Sequence, residues 1–189
     1  MIRVVICVLA IVVIGAMGLT QKERDDFLNM HNEMRKLLLA GKVSGQQKAE
    51  SMKTMKWDNG LEKTAQKKAK SCVFAHDKSR NRTPSGSSKS PIYKWIGQNL
   101  ALLGSSASKF DIQKGVRLWW AENKSYNYKK NSCKSGKQCG HYTQMAWAKT
   151  TNLGCAYQKC AKNRRIPMPW VLIVCIYAPG GNIVKMNPY

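Results

Sequence analysis

The chain has 189 residues and a formal net charge of +22 at pH 7. This length suits a single domain with a hydrophobic core of its own. A charge of this size predicts attraction to anionic partners such as phospholipid head groups and sulfated glycans. Lysine supplies most of the charge and lacks the planar fork with which arginine binds phosphates, so we expect no specific nucleic-acid partner.

The first residues have the layout of a secretory signal peptide. Arg3 precedes an apolar run over residues 4–14, and the small residues Ala16 and Gly18 stand at the −3 and −1 positions of a cleavage site after Gly18. A membrane-spanning signal anchor is the alternative, but the run is shorter than the roughly 20 residues that a span needs. We predict a signal peptide over residues 1–18, a single domain over residues 19–189, and secretion from the cell.

Seven cysteines are present, of which Cys7 lies in the predicted signal peptide. The even number that remains in a secreted chain predicts three disulfides and leaves their pairing open. A zinc-binding cluster is the alternative, but an oxidising compartment and the lack of a tight C-x-x-C pair argue against it. The cysteines of the predicted mature chain are Cys72, Cys133, Cys139, Cys155, Cys160 and Cys175.

The first predicted helix spans about residues 21–40 and ends at Gly41. Four residues fall on one face of it at helical spacing: Phe27, His31, Met34 and Leu38. Because His31 lies on this apolar face, we interpret it as a structural histidine of the core rather than a ligand.

The second predicted helix begins at Asp58 or Asn59, with Glu62 at capping-box spacing after Asn59. One face is predicted to be buried, and the other to be a solvated row of lysines. The buried residues are Leu61, Ala65, Ala69 and Cys72, and the lysines are Lys63, Lys67, Lys68 and Lys70.

A third helix is predicted over about residues 111–123, with Ile112, Val116, Trp119 and Trp120 facing inward. Two glycosylation sequons are present. Asn81 lies in a loop rich in Ser, Arg, Lys and Pro, and Asn123 follows the third helix.

Strand patterns dominate the second half of the chain. Residues 96–103 are mostly apolar, and residues 153–157 alternate as a half-buried strand does. Residues 170–177 are continuously apolar, which is typical of a central strand buried on both faces. Helices before and between these strands predict an α+β fold in which helices cover both faces of a sheet.

Several motifs resemble those of the CAP superfamily, which comprises cysteine-rich secretory proteins, insect antigen 5 and plant pathogenesis-related group 1 proteins. The run GHYTQMAW at 140–147 resembles one family signature, and VCIYAPGGN at 174–182 resembles the second. Shorter matches stand in the same order as in the family: HNEMR at 31–35, FAH at 74–76, GQNL at 97–100 and WWAE at 119–122. As a basic single-domain chain with lysine-rich loops, it most resembles the venom allergen-like proteins of parasitic worms.

The resemblance implies a three-layer α-β-α sandwich, braced by disulfides, with a central cleft. It assigns His76, Gln98, Glu122 and His141 to that cleft. The family usually has Glu at the position of Gln98 and Asn at the position of Ile176. For the disulfides, it implies the pairing Cys155–Cys175, and for the other four cysteines we favour Cys72–Cys139 and Cys133–Cys160.

The resemblance also implies a metal site, most naturally for Zn²⁺, at His76 and His141. Two ligands predict modest affinity, and the charge lost at Gln98 weakens the site further. The alternative is that both histidines only hydrogen-bond to neighbours across the cleft. We predict no catalytic residues and no enzyme, because no free thiol or serine motif supplies a nucleophile.

Lipid binding is the function that the resemblance implies. The loop over residues 124–138 corresponds to the aromatic sterol loop of the family and carries Tyr126 and Tyr128 among lysines. Fatty acids in some relatives lie between two helices, and the candidate walls here are also typical core residues: Phe27, Met34, Trp119 and Trp120. The alternative is an extracellular protein that binds a host protein and modulates defence.

Overall fold

The computed structural model describes residues 18–77, 93, 95–104 and 111–189. The helices are α1 (Gln21–Leu39), α2 (Asn59–Lys70), α3 (Ile112–Ala121) and α4 (Gly140–Met145), and a 3₁₀ turn (Glu122–Ser125) follows α3. The strands are β1 (Lys56–Trp57), β2 (Gly97–Gly104), β3 (Tyr126–Asn127), β4 (Ser132–Cys133), β5 (Asn152–Cys160) and β6 (Trp170–Ala178). Within these residues no helix combines the length and apolar character that crossing a membrane requires.

The main sheet has the strand order β1-β5-β6-β2, and β3 and β4 form a separate hairpin. β1 runs parallel to β5, whereas β6 is antiparallel to both of its neighbours. Every residue of β6 is buried, as its unbroken apolar pattern predicts. One face of β6 packs with residues of α1 and α3, and the other packs with residues of α2. The predicted α-β-α sandwich is therefore confirmed.

α1 begins with a capping box in which the side chains of Thr20 and Glu23 each accept from the other residue's backbone N–H. Its buried residues are Phe27, His31, Arg35 and Leu38. The expectation of Met34 on this face was only partly right, because Met34 is half-buried at its edge. The residue of α1 that is buried in its place is an arginine.

Arg35 satisfies its guanidinium entirely with backbone carbonyls. Nη1 donates to Met145 O and Trp147 O at 2.9 and 2.8 Å. Nη2 donates to Lys53 O, Ala148 O and Thr150 O at 2.6 to 3.2 Å, and Nε also donates to Lys53 O. A buried charge is tolerated when it is hydrogen-bonded in this way. Arg35 therefore fixes the segment after α4 against the loop that leads to β1.

α2 differs from expectation in two ways. Asp58 is the N-cap and accepts from Gly60 N and Leu61 N, so Glu62 takes no part in a capping box with Asn59. Glu62 instead pairs with Arg24 of α1 at 2.8 Å. Lys68 is buried, so it does not belong to the solvated lysine row.

The backbone of α2 lies close to the main sheet at Gly154 of β5. A Cβ atom on Gly154 would come within 2.2 Å of the backbone nitrogen of Glu62, so a side chain there would push α2 away. Glycine in a strand often marks such a close approach of two backbones.

The disulfide pairing was predicted only in part. Cys155–Cys175, which joins directly opposed residues of β5 and β6, is confirmed. The pairings Cys72–Cys139 and Cys133–Cys160 are wrong, because the structure joins Cys72 to Cys160 and Cys133 to Cys139. The reason is the layering: Cys72 and Cys160 pack in the cluster on the α2 face of the sheet, whereas Cys139 packs with Leu38 of α1 on the other side.

Candidate functional site

A cleft of about 340 Å³ opens where β2, the start of α4 and the turn after β6 meet. Gln144 holds these parts together, because its Oε1 accepts from Gly181 N at 2.9 Å and its side chain lies against Gly97. A Cβ atom at Gly97 would lie only 1.9 Å from that oxygen, so the floor of the cleft has room only for glycine. The lining residues include His76, Gln98 and His141, together with Trp95, Asn99, Gln138, Gly140 and Asn182.

His141 is oriented by Glu122. The Glu122 Oε1 atom lies 2.6 Å from Nδ1 of the His141 ring. The other carboxylate oxygen accepts from the backbone N–H groups of His141 and Tyr142 at 3.0 and 3.2 Å. Because an ionised carboxylate only accepts, Nδ1 carries a proton, and in a neutral ring Nε2 keeps its lone pair.

His76, which also lines the cleft, is held by Gln98. Its Nδ1 lies 2.9 Å from Oε1 of Gln98. The Gln98 amide nitrogen donates in turn to Asp77 Oδ2 at 3.0 Å, and the Lys68 ammonium lies 3.5 Å from Asp77 Oδ1. Gln98 was expected to remove a negative charge from the cleft, but Asp77 brings a carboxylate next to His76. The signal was present in the sequence as an acidic residue directly after His76, and it was missed.

A buried network supports the cleft from below. Asn99 Nδ2 donates to His141 O and to the Tyr177 hydroxyl, each at 3.1 Å. The Tyr177 hydroxyl lies 2.9 Å from Nε2 of His31, whose Nδ1 lies 2.7 Å from Phe27 O. Burial, with a smaller contribution from the positive charge of Arg35, lowers the pKa of His31 to about 4, although the hydrogen bond to Phe27 O opposes the shift. His31 is thus a neutral histidine of the core, as expected.

The cleft provides only two imidazole ligands for a cation. In the part of the chain that the structure describes, no three His, Cys, Asp or Glu side chains converge in a metal-binding group. A zinc site normally takes three or four protein ligands, so here solvent would have to complete the coordination. The residues therefore fit a weakly bound divalent ion held by His76 and His141, with the Gln98 and Glu122 side chains behind them.

This architecture and cleft match a known family. The model of the cysteine-rich secretory protein family, CAP, matches residues 28–177. The chain belongs to the CAP family. The described part of this CAP domain has three disulfides, which fit an oxidising extracellular location.

Sequence relatives of this CAP domain include vertebrate and insect proteins. The GLIPR1-like protein 1 of Bos taurus is 39% identical over 171 residues, which cover 87% of this chain. The matched region spans only 62% of the bovine protein's length. Venom allergen 5 of Vespula maculifrons is 35% identical over 94% of this chain and 76% of its own length.

Solved structures give the same fold. The venom allergen-like protein 4 of Schistosoma mansoni superposes with a TM-score of 0.72 at 30% identity, covering 90% of this chain and 95% of its own. The structure of NaASP2 with Zn²⁺ superposes with a TM-score of 0.69 at 30% identity, covering 93% of this chain and 88% of its own. The fold that the sequence motifs implied is therefore confirmed.

The tyrosines of the predicted sterol loop do not stand out into solvent. Tyr126 is buried, packs against Tyr142 and donates to Asn131 Oδ1 at 2.7 Å. Tyr128 is half-buried and stacks on Tyr189 with 4.7 Å between ring centroids. Tyr126 is therefore unavailable at a membrane surface in this conformation, whereas one side of Tyr128 remains accessible.

The helix residues proposed as fatty-acid walls fall into two groups. Phe27 and Trp119 are core residues, and the Trp119 indole donates to Leu100 O at 3.0 Å. Met34 and Trp120 are half-buried and pack at the edge of the core, on α1 and α3 respectively. Only the second pair lies where a ligand between these helices could reach it.

A larger cavity, of about 720 Å³, lies beside the end of the chain. We call it the tail groove. Its apolar lining comes from Tyr128, Trp147, Pro179, Met186, Pro188 and Tyr189, and its polar lining includes Lys48, Lys53, Lys149 and Glu50. The groove was not predicted from the sequence, because its walls come from five separate segments between residues 47 and 189.

The two predicted glycosylation sites differ in what the structure says of them. Asn81 lies outside the described residues. Asn123 is buried in the 3₁₀ turn, and its Nδ2, the atom that would carry a glycan, donates to Trp120 O at 2.6 Å. The prediction of a glycan on Asn123 is therefore incompatible with this fold.

Proposed function

We propose that this CAP domain is a secreted, non-enzymatic binding protein whose ligand is a long-chain fatty acid held in the tail groove. The observation that carries the proposal is the groove itself. Its volume of about 720 Å³ falls in the range of about 300–1,000 Å³ that is typical of small-molecule sites. The groove contains Tyr128 of the predicted sterol loop but none of the predicted fatty-acid walls on α1 and α3.

The chemistry of the groove suits an amphipathic anion. Aromatic and aliphatic side chains form its walls, and three lysines against one glutamate leave its rim positive: Lys48, Lys53 and Lys149 against Glu50. A fatty acid would bury its alkyl chain along the walls, at about 0.8 kcal/mol for each buried CH₂ group. Its carboxylate would remain near the lysines, which are exposed. The net charge of +22 adds a weak general attraction to anionic lipid surfaces and sulfated glycans.

The walls of the groove are held in place without a ligand. Ala148 N donates to Pro188 O at 2.7 Å, and Lys53 N donates to Ala148 O at 3.3 Å. The Asn187 amide donates to Tyr128 O at 3.2 Å, next to the stacked rings of Tyr128 and Tyr189. A preformed site loses less conformational entropy on binding, which favours affinity.

The cleft chemistry supports a binding role rather than catalysis. The six cysteines of the described residues are all in disulfides, so none of them is a free thiol nucleophile. The side-chain partners of His76 and His141 are Gln98 and Glu122, not a hydroxyl group that a base could activate.

The test is palmitate binding by delipidated protein, measured by titration calorimetry. We expect Met186→Glu to weaken binding at least about tenfold, because it places a negative charge on the apolar wall; tenfold corresponds to about 1.4 kcal/mol. Val184→Glu is the matched control, since Val184 is 83% exposed and does not line the groove. Hexadecanol, which lacks the carboxylate, should bind more weakly than palmitate.

Two results would count against the tail groove. If the wild-type protein takes up no palmitate, the proposed function is wrong. If Met186→Glu binds normally while Met34→Glu does not, the ligand lies between α1 and α3 instead.

A second candidate function is binding to a host extracellular protein. It is favoured by large apolar side chains that are exposed, among them Phe74, two residues before His76 of the cleft, and Val184, two residues after Asn182. A contiguous apolar patch at the rim of the cleft would suit contact with a protein partner. A wild-type protein that binds neither palmitate nor cholesterol would favour this second function.

A further inference from the structure

We propose that Asp77 is a positioning residue for a divalent-cation site in the cleft. It fixes the orientation of the Gln98 amide, and Gln98 in turn makes His76 present the lone pair of Nε2. This inference does not depend on the fatty-acid function, because it concerns the cleft and not the tail groove.

The carboxylate of Asp77 lies between the Gln98 amide and the Lys68 ammonium. Its Oδ2 lies 3.0 Å from the Gln98 amide nitrogen, and its Oδ1 lies 3.5 Å from the Lys68 ammonium. An ionised carboxylate can only accept hydrogen bonds, so the end of the Gln98 amide that faces it must be the NH₂ group. The amide oxygen must then point the other way, toward His76.

The Gln98 oxygen determines which nitrogen of His76 carries the proton. It lies 2.9 Å from His76 Nδ1 and also accepts from the backbone N–H of Asp77 at 3.4 Å. Because an amide oxygen only accepts, Nδ1 must be the protonated nitrogen. In the neutral ring Nε2 is then unprotonated, and no hydrogen bond occupies it among the described residues. This is the tautomer in which a histidine ligates a metal through Nε2.

Without the Asp77 carboxylate, only the long 3.4 Å hydrogen bond from the backbone N–H of residue 77 would favour this orientation of the amide. A flipped Gln98 would aim its NH₂ group at Nδ1, and Nδ1 would have to accept. The proton would then sit on Nε2, where it blocks a cation. Glu122 needs no such support at His141, since both of its oxygens are acceptors. Asp77 and Gln98 together therefore do for His76 what a single glutamate does for His141.

Lys68 forms an ion pair that holds the Asp77 carboxylate in place. Its side chain is only 7% exposed and projects from α2 toward Asp77. Asp77 is thereby held between an ammonium group and an amide group, on a segment that Cys72 ties to β5. The buried lysine of α2, which the sequence analysis assigned to a solvated row, thus supports the cleft.

The experiment is a double-mutant cycle read by zinc affinity. Zn²⁺ binding to the oxidised protein is measured by titration calorimetry for the wild type, Asp77→Ala, Gln98→Glu and the double variant. Loss of a group behind a metal ligand typically weakens metal binding about 10–100-fold. We expect Asp77→Ala to weaken Zn²⁺ binding about tenfold when residue 98 is Gln, and to have no such effect when residue 98 is Glu, which orients His76 without help.

A second readout follows the tautomer directly. Long-range ¹H–¹⁵N correlation spectra of the metal-free protein should show His76 protonated at Nδ1 in the wild type, and a shift toward Nε2 protonation in Asp77→Ala. Asp25→Ala is the control, because it removes an exposed carboxylate of α1 that is distant in sequence from Asp77 and His76. If Asp77→Ala does not fold, Asp77→Asn replaces it, since a carboxamide can donate as well as accept and leaves Gln98 free to flip.

Three outcomes would overturn the proposal. One is a wild-type protein that binds no Zn²⁺. Another is an equal loss of affinity from Asp77→Ala in both residue-98 backgrounds, which would indicate a merely structural role. The third is an unchanged His76 tautomer in the Asp77 variant.

Discussion

The Tyr177 hydroxyl lies 2.9 Å from Nε2 of His31, and this hydrogen bond joins the first helix to the central strand beneath the cleft. Both residues are fully buried. Phe27 O accepts from Nδ1, and burial keeps the ring neutral near pH 7, so Nε2 is free to accept from the Tyr177 hydroxyl. The Tyr177 oxygen can then accept from Asn99, which also holds the backbone of His141.

This pair predicts a loss of stability in mild acid. The pKa of His31 is about 4 in the folded protein, against an ordinary value of 6.5. Between these values the unfolded chain binds a proton that the folded chain does not, so the free energy of unfolding falls as the pH drops from about 6.5 to about 4. At about 1.4 kcal/mol per pKa unit the loss is on the order of 3 kcal/mol.

Urea unfolding of the wild type and of His31→Gln across this range measures the effect. Carboxylates titrate in both proteins, so the difference between the two profiles isolates His31. Parallel profiles would show that His31 does not contribute.

Arg35 should be irreplaceable even by lysine. Arg35→Lys keeps the charge but provides fewer donors for the carbonyls of Lys53, Met145, Trp147, Ala148 and Thr150. We expect a loss of about 2–4 kcal/mol in the free energy of unfolding, because several buried acceptors lose their partner. Chemical denaturation measures it, with the exposed Lys36→Ala as a control that should change stability by less than about 0.5 kcal/mol. A similar small change in Arg35→Lys would refute this account.

The long-range disulfide Cys72–Cys160 and the short-range disulfide Cys133–Cys139 should differ in their effect on stability. Cys72–Cys160 closes a loop of 88 residues, and Cys133–Cys139 closes one of 6. Loop-closure entropy then assigns about 4–5 kcal/mol to the first bridge and about 2 kcal/mol to the second. Paired Cys→Ser variants, unfolded in urea, compare them. Mass mapping of a non-reduced digest checks the pairing itself, and a Cys72–Cys139 peptide would contradict the structure.

Asn123 should remain unglycosylated when the protein is secreted from eukaryotic cells. A glycan on its Nδ2 would break the hydrogen bond to Trp120 O and force the 3₁₀ turn open. Peptide mass spectrometry should find the Asn123 peptide unmodified, with the Asn81 peptide as the internal comparison. A glycan on Asn123 in folded, secreted protein would show that this turn is not formed as described.

Much of the fold could be predicted from local patterns. The continuous apolar run of β6 predicted burial on both faces, because only a strand covered on both sides can place every residue away from water. The spacing of Phe27, His31 and Leu38 predicted the buried face of α1 in the same way. The contiguous CAP motifs then predicted the cleft and its histidines: His141 came from the signature at 140–147, and His76 came from the shorter match at 74–76.

The remaining features depended on which layer each segment occupies. The sequence left the cysteine pairing open, and only the separation of Cys72 and Cys139 by the sheet decided it. The burial of Arg35 and its bonding could not be predicted from the sequence, because its partners are backbone carbonyls, which every residue has. The same holds for Asp77: its neighbour in the chain is His76, but its effect passes through Gln98, which lies 21 residues away and is brought to it by the start of β2. Residue types and periodicity thus determined the elements of this protein, whereas hydrogen bonds between distant segments, which carry no periodic signal, were decided by the tertiary structure alone.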